Sequence, residues 1–359
     1  MERKAVKVVL LGFGSVSQHV CKILLEKQNN AKESAIKGKI IVVAACDSSG
    51  GVYSPSGLDL AALLKHKESK KYLFEYSDEN SNSSPSELRR FKTGLELVTE
   101  VSYDLLVDAS PVNLETGYPG YQCAKKALER NLNVVFANKA PLVLDYAGIR
   151  HLESQSKGCI RFSATVCGGL PVINVGQRDL VGAHISSIEG IFNSTTNYVL
   201  SQMQQGFSRE SALKTAQERG IAEADPTLDV AGIDSANKLV IIANTLLERQ
   251  SSVKLSDVKV KGIEQVSQKD LSQANLEGCT IKLLASAKYD AELGTYQYAV
   301  GPTKVPLNSF LGNSNETDMC IVFTTDIYET ISLKTNETGV FPTSAAVIRD
   351  ILHLSFGSE

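Results

Sequence analysis

Between Ala216 and Lys238 the chain reads AQERGIAEADPTLDVAGIDSANK, its densest polar stretch. Glu218, Glu223, Asp225, Asp229 and Asp234 bring carboxylates, and Lys238 brings an ammonium. Asp234 and Lys238 are four apart, so a helix sets them on one face. On a solvated surface such a pair contributes only a few tenths of a kcal/mol. Yet Lys238 opens into LVIIA, a continuous apolar run that predicts a helix buried on most sides. A charged pair entering such a helix needs partners. Buried lysines also shift pKa readily, which suits proton transfer.

A second constellation stands near the start. Val6–Leu11 (VKVVLL) reads as a buried parallel strand, followed by Gly12-Phe-Gly14-Ser15-Val16-Ser17 and a helix from Val16 to Glu26. Glycine at 12 allows the tight turn, and glycine at 14 lets the backbone approach a pyrophosphate at the helix N-terminus. Ser17 stands where Gly or Ala is usual. The next strand, Ile40–Ala45, ends in Asp47. An acid there accepts hydrogen bonds from ribose hydroxyls and disfavours a 2′-phosphate, unless it only caps a turn. No arginine follows in Ser48-Ser49-Gly50, so NAD is at least as well suited as NADP. The spacing from Gly14 exceeds the usual ~20 residues, because Asn29–Lys39 looks inserted. Further strands, Tyr103–Asp108 and Asn133–Ala137, end in Asp108-Ala-Ser110 and Asn138-Lys139. A lysine at a strand's carboxyl end can donate to a substrate carboxylate or to the nicotinamide side; a lone surface lysine is the common alternative.

Strands alternating with helices predict an α/β fold, a Rossmann-type doubly wound parallel sheet with ligands at the strands' carboxyl ends. Helices are expected at Leu58–His66, Gly120–Arg130 and about Asp145–Ser156. Tyr76–Glu87, rich in Ser, Asn and Asp, reads as an exposed loop. After Ser163 the texture becomes α+β. A strand at Ile188–Phe192 precedes helices at Thr196–Gln205, Ser208–Arg219 and Gly232–Glu248. The 254–335 region mixes short strands with a helix near Ile281–Ala287. A last helix, Pro342–Leu354, is expected to pack back on the first part. The expected domains are residues 1–162 with 336–359 for the dinucleotide, and 163–335 for catalysis and dimerisation.

With these motifs in view, the chain resembles the homoserine dehydrogenase family, in its short form without an aspartokinase domain. The signature is carried by Ala216, Gly220, Ile221, Ala222, Asp225-Pro226, Asp229-Val230, Gly232, Asp234 and Lys238. Family-like pieces also stand at Gly12–Val16, Asn138-Lys139-Ala140, Thr165–Pro171, Asn193–Tyr198, Ile281-Lys282-Leu283 and Pro342–Asp350. The resemblance implies NAD(P)-dependent interconversion of L-homoserine and L-aspartate 4-semialdehyde. It assigns Lys238 as the acid/base and places Lys139 between cofactor and substrate. It implies that Glu223 and Asp234 bind substrate. Chemically, Glu223 and Asp229 suit the α-ammonium, and Thr195 with nearby amides suits the α-carboxylate. The implied cofactor contacts are Gly12, Gly14, Ser15, Val16, Asp47, Ser110, Lys139, Gly220 and Gly339.

The chain departs from the family pattern at several points. The glycine-rich loop before Pro342 reads Lys334-Thr-Asn-Glu-Thr-Gly339-Val, with only Gly339 kept. Ser163 replaces a glutamate that ligates a monovalent cation in some members, so no firm metal site is expected. The backbone carbonyls of Val166, Gly168 and Leu170 could contribute a weak one. Cys167 and Ser194 replace glycines, and Ile221 replaces a frequent tyrosine. These changes support a second reading: an impaired or re-specialised paralogue that binds nucleotide and an amino-acid-like ligand.

Composition excludes other classes. The 359 residues carry 37 basic and 40 acidic side chains, so no polyanion-binding surface or nucleic-acid partner is expected. Seven scattered cysteines without C-x-x-C read as buried free thiols in a reducing compartment. No apolar run reaches the roughly 18 residues of a membrane span. MERKAVK leads straight into a strand, and the expectation is a cytoplasmic protein, a homodimer, acting on a small molecule.

Overall fold

The computed structural model describes residues 5–29, 38–77, 87–248, 251–337 and 339–357. The chain divides into two compact units, Met1–Thr165 with Val340–Glu359, and Val166–Gly339. The first unit runs β1 (Ala5–Leu11), α1 (Ser15–Asn29), β2 (Lys39–Asp47), β3 (Gly50–Tyr53), α2 (Leu60–Glu68) and β4 (Arg89–Phe91). It continues with α3 (Gly94–Glu100), β5 (Leu105–Asp108), α4 (Gly120–Glu129), β6 (Asn133–Phe136), α5 (Ala140–Ser154) and β7 (Ile160–Arg161). The second unit holds α6 (Val172–Asn174), β8 (Ile185–Ile191), α7 (Ser194–Gln204), α8 (Arg209–Glu218), α9 (Thr227–Val230) and α10 (Ile233–Leu246). Then come β9 (Val258–Val260), α11 (Gln268–Leu276), β10 (Cys279–Asp290), β11 (Thr295–Pro306), β12 (Asp318–Thr325) and β13 (Thr330–Asn336). The closing helix α12 (Phe341–Phe356) returns to the first unit.

The first unit is a seven-stranded sheet in the order β4-β3-β2-β1-β5-β6-β7. From β2 to β7 all neighbours are parallel, whereas β3 and β4 are antiparallel additions at one edge. β1 is central because Val8, Val9, Leu10 and Leu11 are apolar on both faces. The chain goes from β1 to β2 on one side and returns to β5 on the other. That reversal opens the crevice where doubly wound sheets bind ligands. α12 packs Val347 and Ile351 into the same core as Val20 and Leu24 of α1. Ser344 Oγ donates to the Val16 carbonyl at 3.0 Å. Ser163 belongs here too: its amide and hydroxyl donate to the two oxygens of buried Asp350, both at 2.8 Å.

The second unit is a six-stranded sheet, β13-β12-β8-β10-β11-β9, largely antiparallel. The helix expected near Ile281–Ala287 is instead the interior of β10, paired to β8 and β11. Thr280, Lys282, Ser286 and Lys288 alternate with Ile281, Leu283, Ala285 and Ala287, the period of two of a strand, broken only at Leu284. The helix expected from Asp145 starts earlier, at Ala140. Asp145 itself sits in a kink (φ −151°, ψ 66°) inside α5. β3, β4, β7, α3, α6, α9 and α11 go beyond the elements expected from the sequence; the three strands are too short for a pattern. The insertion between Asn29 and Lys39 and most of the expected 76–87 loop lie outside the described residues. Tyr76, at that loop's start, is buried.

β5 ends in fully buried Asp108. Burial pushes its carboxyl up to about 6, although the Ser110 and Asn138 side chains work to lower it. A raised carboxyl pKa means that the folded state holds the proton more tightly than the unfolded one. This group's contribution therefore falls as pH rises from about 4 to about 6, and stays low above. Asp108→Asn copies the protonated form and keeps an acceptor for Ser110. Its stability relative to the parent should improve by about 2 kcal/mol between about pH 4.5 and 7.5, measured by urea unfolding. An unchanged difference would contradict the assigned burial.

Candidate active site

In the second unit the acid–base residues meet around the entry to α10. Gly232, in the left-handed conformation (φ +78°), turns the chain from α9 into that helix. Lys238 Nζ donates to Asp234 Oδ2 at 2.8 Å and to the Phe192 carbonyl at 2.6 Å. Asn193, directly after β8, caps α7 by accepting from the Thr196 amide at 2.9 Å. Its Nδ2 bridges the two acids, donating to Asp229 at 2.7 Å and to Asp234 at 2.9 Å. The Asp234 and Lys238 side chains are only 10% and 14% exposed. Burial alone would push the Lys238 ammonium toward neutrality. The neighbouring charges, Asp234 foremost, hold its pKa above the usual lysine range. The third N–H of Lys238 has no partner among the described residues.

Not every expected residue joins this cluster. Thr195 is buried, and its hydroxyl donates to the Ile221 carbonyl at 3.0 Å. Glu223 lies on the exposed stretch between α8 and α9. Gly220 ends α8 with φ +69° and open space where a side chain would be.

In the first unit the carboxyl ends of β1, β2, β5 and β6 line up. Gly12 has φ +86°, and a Cβ on it would stand 2.4 Å from the Ala109 carbonyl oxygen and 2.6 Å from Ser110 Cα. Only glycine permits that approach. A Cβ on Gly14 would meet nothing within 4 Å. The first turn of α1, with Ser15 and Val16, carries no acid. Open space before an acid-free helix N-terminus fits a pyrophosphate. Ser17 is tolerated at the third position because its hydroxyl donates to the Gly12 carbonyl at 2.6 Å. Ser110 Oγ donates to Asp108 at 2.6 Å and accepts from Asn138. Lys139 precedes α5 and is half-buried. Asp47 ends β2 with both oxygens occupied. Oδ1 accepts from the Ser49 amide and hydroxyl, and Oδ2 from Lys67 Nζ and the Leu73 amide.

The comparisons with known proteins bear on both units. The homoserine dehydrogenase family model matches residues 171–352, which include the whole Lys238 cluster. Residues 1–113 match the model described as Glutamate/Leucine/Phenylalanine/Valine dehydrogenase. Homoserine dehydrogenase of Methanocaldococcus jannaschii is 36% identical over 97% of this chain and 98% of its own length. The chain belongs to the homoserine dehydrogenase family. The NAD(+)-dependent homoserine dehydrogenase of Pseudomonas canavaninivorans is 29% identical, over 97% of this chain and 96% of its own. The crystal structure of homoserine dehydrogenase from Thermoplasma acidophilum superposes with a TM-score of 0.79 at 26% identity, covering 98% of this chain and 99% of that one.

Where this homoserine dehydrogenase-family chain departs from the motif pattern, the structure supplies local compensation. The turn at Cys167 and Gly168, with φ +53° and +59°, directs the Gly169 amide at Glu337, 2.8 Å and 3.1 Å from its two oxygens. The Leu170 amide and Thr335 hydroxyl join it. Burial still pushes the Glu337 carboxyl above its usual range. The turn around the Val166, Gly168 and Leu170 carbonyls thus presents amides to a carboxylate. Among the described residues no group of three or more His, Cys, Asp or Glu could hold a metal ion. Cys167 is buried, which pushes its thiol up to about 12. Gly339 has φ +75° and open space around its α-carbon, and Thr338 before it lies outside the described residues.

Sequence reasoning did not single out Asn193, Glu337 or Lys67. Asn193 carried one signal, an Asn three residues before Thr196 at a helix start. Removing one partner of a buried ion pair costs far more than the pair's net worth. Asp234→Ala should therefore lower stability by about 3 kcal/mol. Adding Lys238→Met should restore part of the loss in denaturant titrations. Additive losses in the double variant would mean that the pair is not coupled.

Proposed function

We propose that the chain interconverts L-homoserine and L-aspartate 4-semialdehyde using NAD(H) or NADP(H). The observation that carries this reading is the buried Lys238 ammonium, held by Asp234 and the Phe192 carbonyl in a chain of this family. The bound dinucleotide supplies the hydride for reduction and takes it in oxidation. Lys238 handles the proton. In reduction its ammonium protonates the aldehyde oxygen as negative charge gathers there; in oxidation the neutral amine takes the hydroxyl proton. Two held N–H bonds restrict the direction of the third. Glu223, Asp229 and Asp234 receive the substrate's α-ammonium. Thr195, in the first turn of α7, receives its α-carboxylate through that helix's amides. Gly12, Gly14, Ser15, Val16, Asp47 and Ser110 form the dinucleotide side, with Gly220 and Gly339 as further contacts. Lys139 donates to the substrate carboxylate or to the nicotinamide side. The working protein is a cytoplasmic homodimer whose strands near 296–335 pair across the interface.

Glu337, buried within the altered 334–340 stretch, favours the second reading, a protein that binds these ligands without turning them over. Homoserine with NAD or NADP at alkaline pH should yield reduced cofactor. No reduction, with homoserine or nucleotide still raising the melting temperature, would select the second reading. Lys238→Met should lower kcat by roughly 10²–10⁴-fold. Because neighbouring charges raise the Lys238 pKa, oxidation should accelerate with pH up to the loss of that proton, whereas reduction should not need alkali. An oxidation rate that is flat from about pH 7 to about pH 10 would remove Lys238 from the role.

A further inference from the structure

We propose that Lys282 is a positioning residue for the substrate's α-carboxylate: through Asn197 it holds the first turn of α7 and sets a positive charge against it. This rests on the substrate reading above. Lys282 lies inside β10 and is 4% exposed. Its Nζ donates to Asn197 Oδ1 at 2.8 Å and to the Ser314 carbonyl at 3.3 Å. Among the described residues no carboxylate forms an ion pair with it. Buried charges are normally paired, so this one calls for a reason. The acid that faces it, Asp318, is taken up elsewhere. Asp318 Oδ2 accepts from the Asn315 amide at 2.7 Å and has Lys334 Nζ at 3.8 Å, while Oδ1 accepts from Asn336 at 2.8 Å. Glu316 is likewise taken, by Gln202 at 2.7 Å and Arg219 at 3.8 Å. Lys282 therefore leaves an uncompensated positive charge in the core of the second unit. Burial lowers its pKa to about 8; Cys320 and Asp318 of β12 oppose the shift and Lys334 of β13 assists it.

The element that feels this charge is α7. Asn197 closes its first turn, the Asn197 amide donating to the Asn193 carbonyl at 3.3 Å. The Asn197 Nδ2 donates to the Asn315 and Asp318 carbonyls at 2.7 Å and 3.0 Å. With both N–H bonds made and its oxygen held by Lys282, this amide cannot turn. Thr280, also on β10, fixes the far end of α7 by donating to Gln204 at 2.7 Å. β10 thus sets the place of α7 along its length. The first turn of α7 carries no acid. A helix N-terminus is partly positive, and a cation beside the first turn adds to it. An α-carboxylate received by that turn meets its amides directly and the Lys282 charge through Asn197. Asn193, at the head of the same turn, holds Asp229 and Asp234 for the α-ammonium. Lys282 itself neither touches the substrate nor moves a proton.

Homoserine and two truncated analogues test this without turnover. Dissociation constants of L-homoserine, 4-hydroxybutyrate (no amine) and 3-aminopropan-1-ol (no carboxylate) are measured by calorimetry on the full chain with NADPH present. Lys282→Met should weaken homoserine and 4-hydroxybutyrate about fivefold at about pH 7, and change 3-aminopropan-1-ol less than about twofold. A variant that weakens all three alike would mark a merely structural lysine and overturn the inference. Unmodified protein supplies a test that needs no variant. Between about pH 7 and about pH 9 Lys282 gives up its charge, so 4-hydroxybutyrate should bind about threefold or more weakly at the upper end, with a midpoint at about 8, while 3-aminopropan-1-ol should not weaken. Flat 4-hydroxybutyrate binding over that range would overturn the inference whether or not Lys282→Met folds. If homoserine binds while either test fails, only this inference falls. If homoserine binds at no pH, the substrate reading falls and takes this inference with it.

Discussion

An ammonium buried at the mouth of an apolar helix must be neutralised where it stands. Desolvating a lysine costs several kcal/mol, and only a close carboxylate with further hydrogen bonds offsets it. In the second unit that requirement organises the surrounding backbone. Asp234 neutralises Lys238 from one turn earlier on α10. The Phe192 carbonyl, at the exit of β8, accepts a second N–H of the same ammonium. Asn193 then satisfies Asp234 and Asp229 together while capping α7. The β8–α7 junction, α9 and α10 are thereby held in one register. The same bonds keep Lys238 charged, which is the state a proton donor needs.

The first unit obeys the same rule on a different scaffold. Parallel strands bring their carboxyl ends to one edge, where backbone and side-chain polar groups leave the sheet. Asp108 Oδ1, Ser110 and Asn138 bond one another beneath the Gly12 turn, while Asp108 Oδ2 has no hydrogen-bond partner among the described residues, and Asp47 is saturated by its own neighbours. What stays open is the space beside Gly14. The crevice is shaped as much by polar groups that are already bonded as by those left for a ligand.

Departures from the family's motif pattern follow this logic. Ser163, in place of a glutamate, is bonded through both its amide and its hydroxyl to Asp350. Glu337, in a stretch where glycines are usual, is received by amides of the turn that contains Cys167. Ser163 and Glu337 are both polar at buried positions, and each has a partner far away in sequence. An unpartnered group in either place would cost a few kcal/mol.

Local patterns in the sequence determined much of this protein. The continuous apolar runs of β1 and β2, the glycines of the first turn and the i,i+4 placement of Asp234 and Lys238 are short-range signals, and they survive without context. The LVIIA run even required that the Asp234–Lys238 pair have partners. Their identity was decided by tertiary structure alone, because Phe192 and Asn193 lie some forty residues upstream. β10, expected as a helix, carries a strand's alternation of Thr280, Lys282 and Ser286 with Ile281, Leu283 and Ala285, interrupted at Leu284, and its pairing with β8 and β11 identifies it. Asp47 shows the limit most plainly. Its position at the end of β2 was legible from residue spacing. Whether its oxygens remain available depends on Lys67 and Leu73, brought to it by the packing of α2 and the turn that follows.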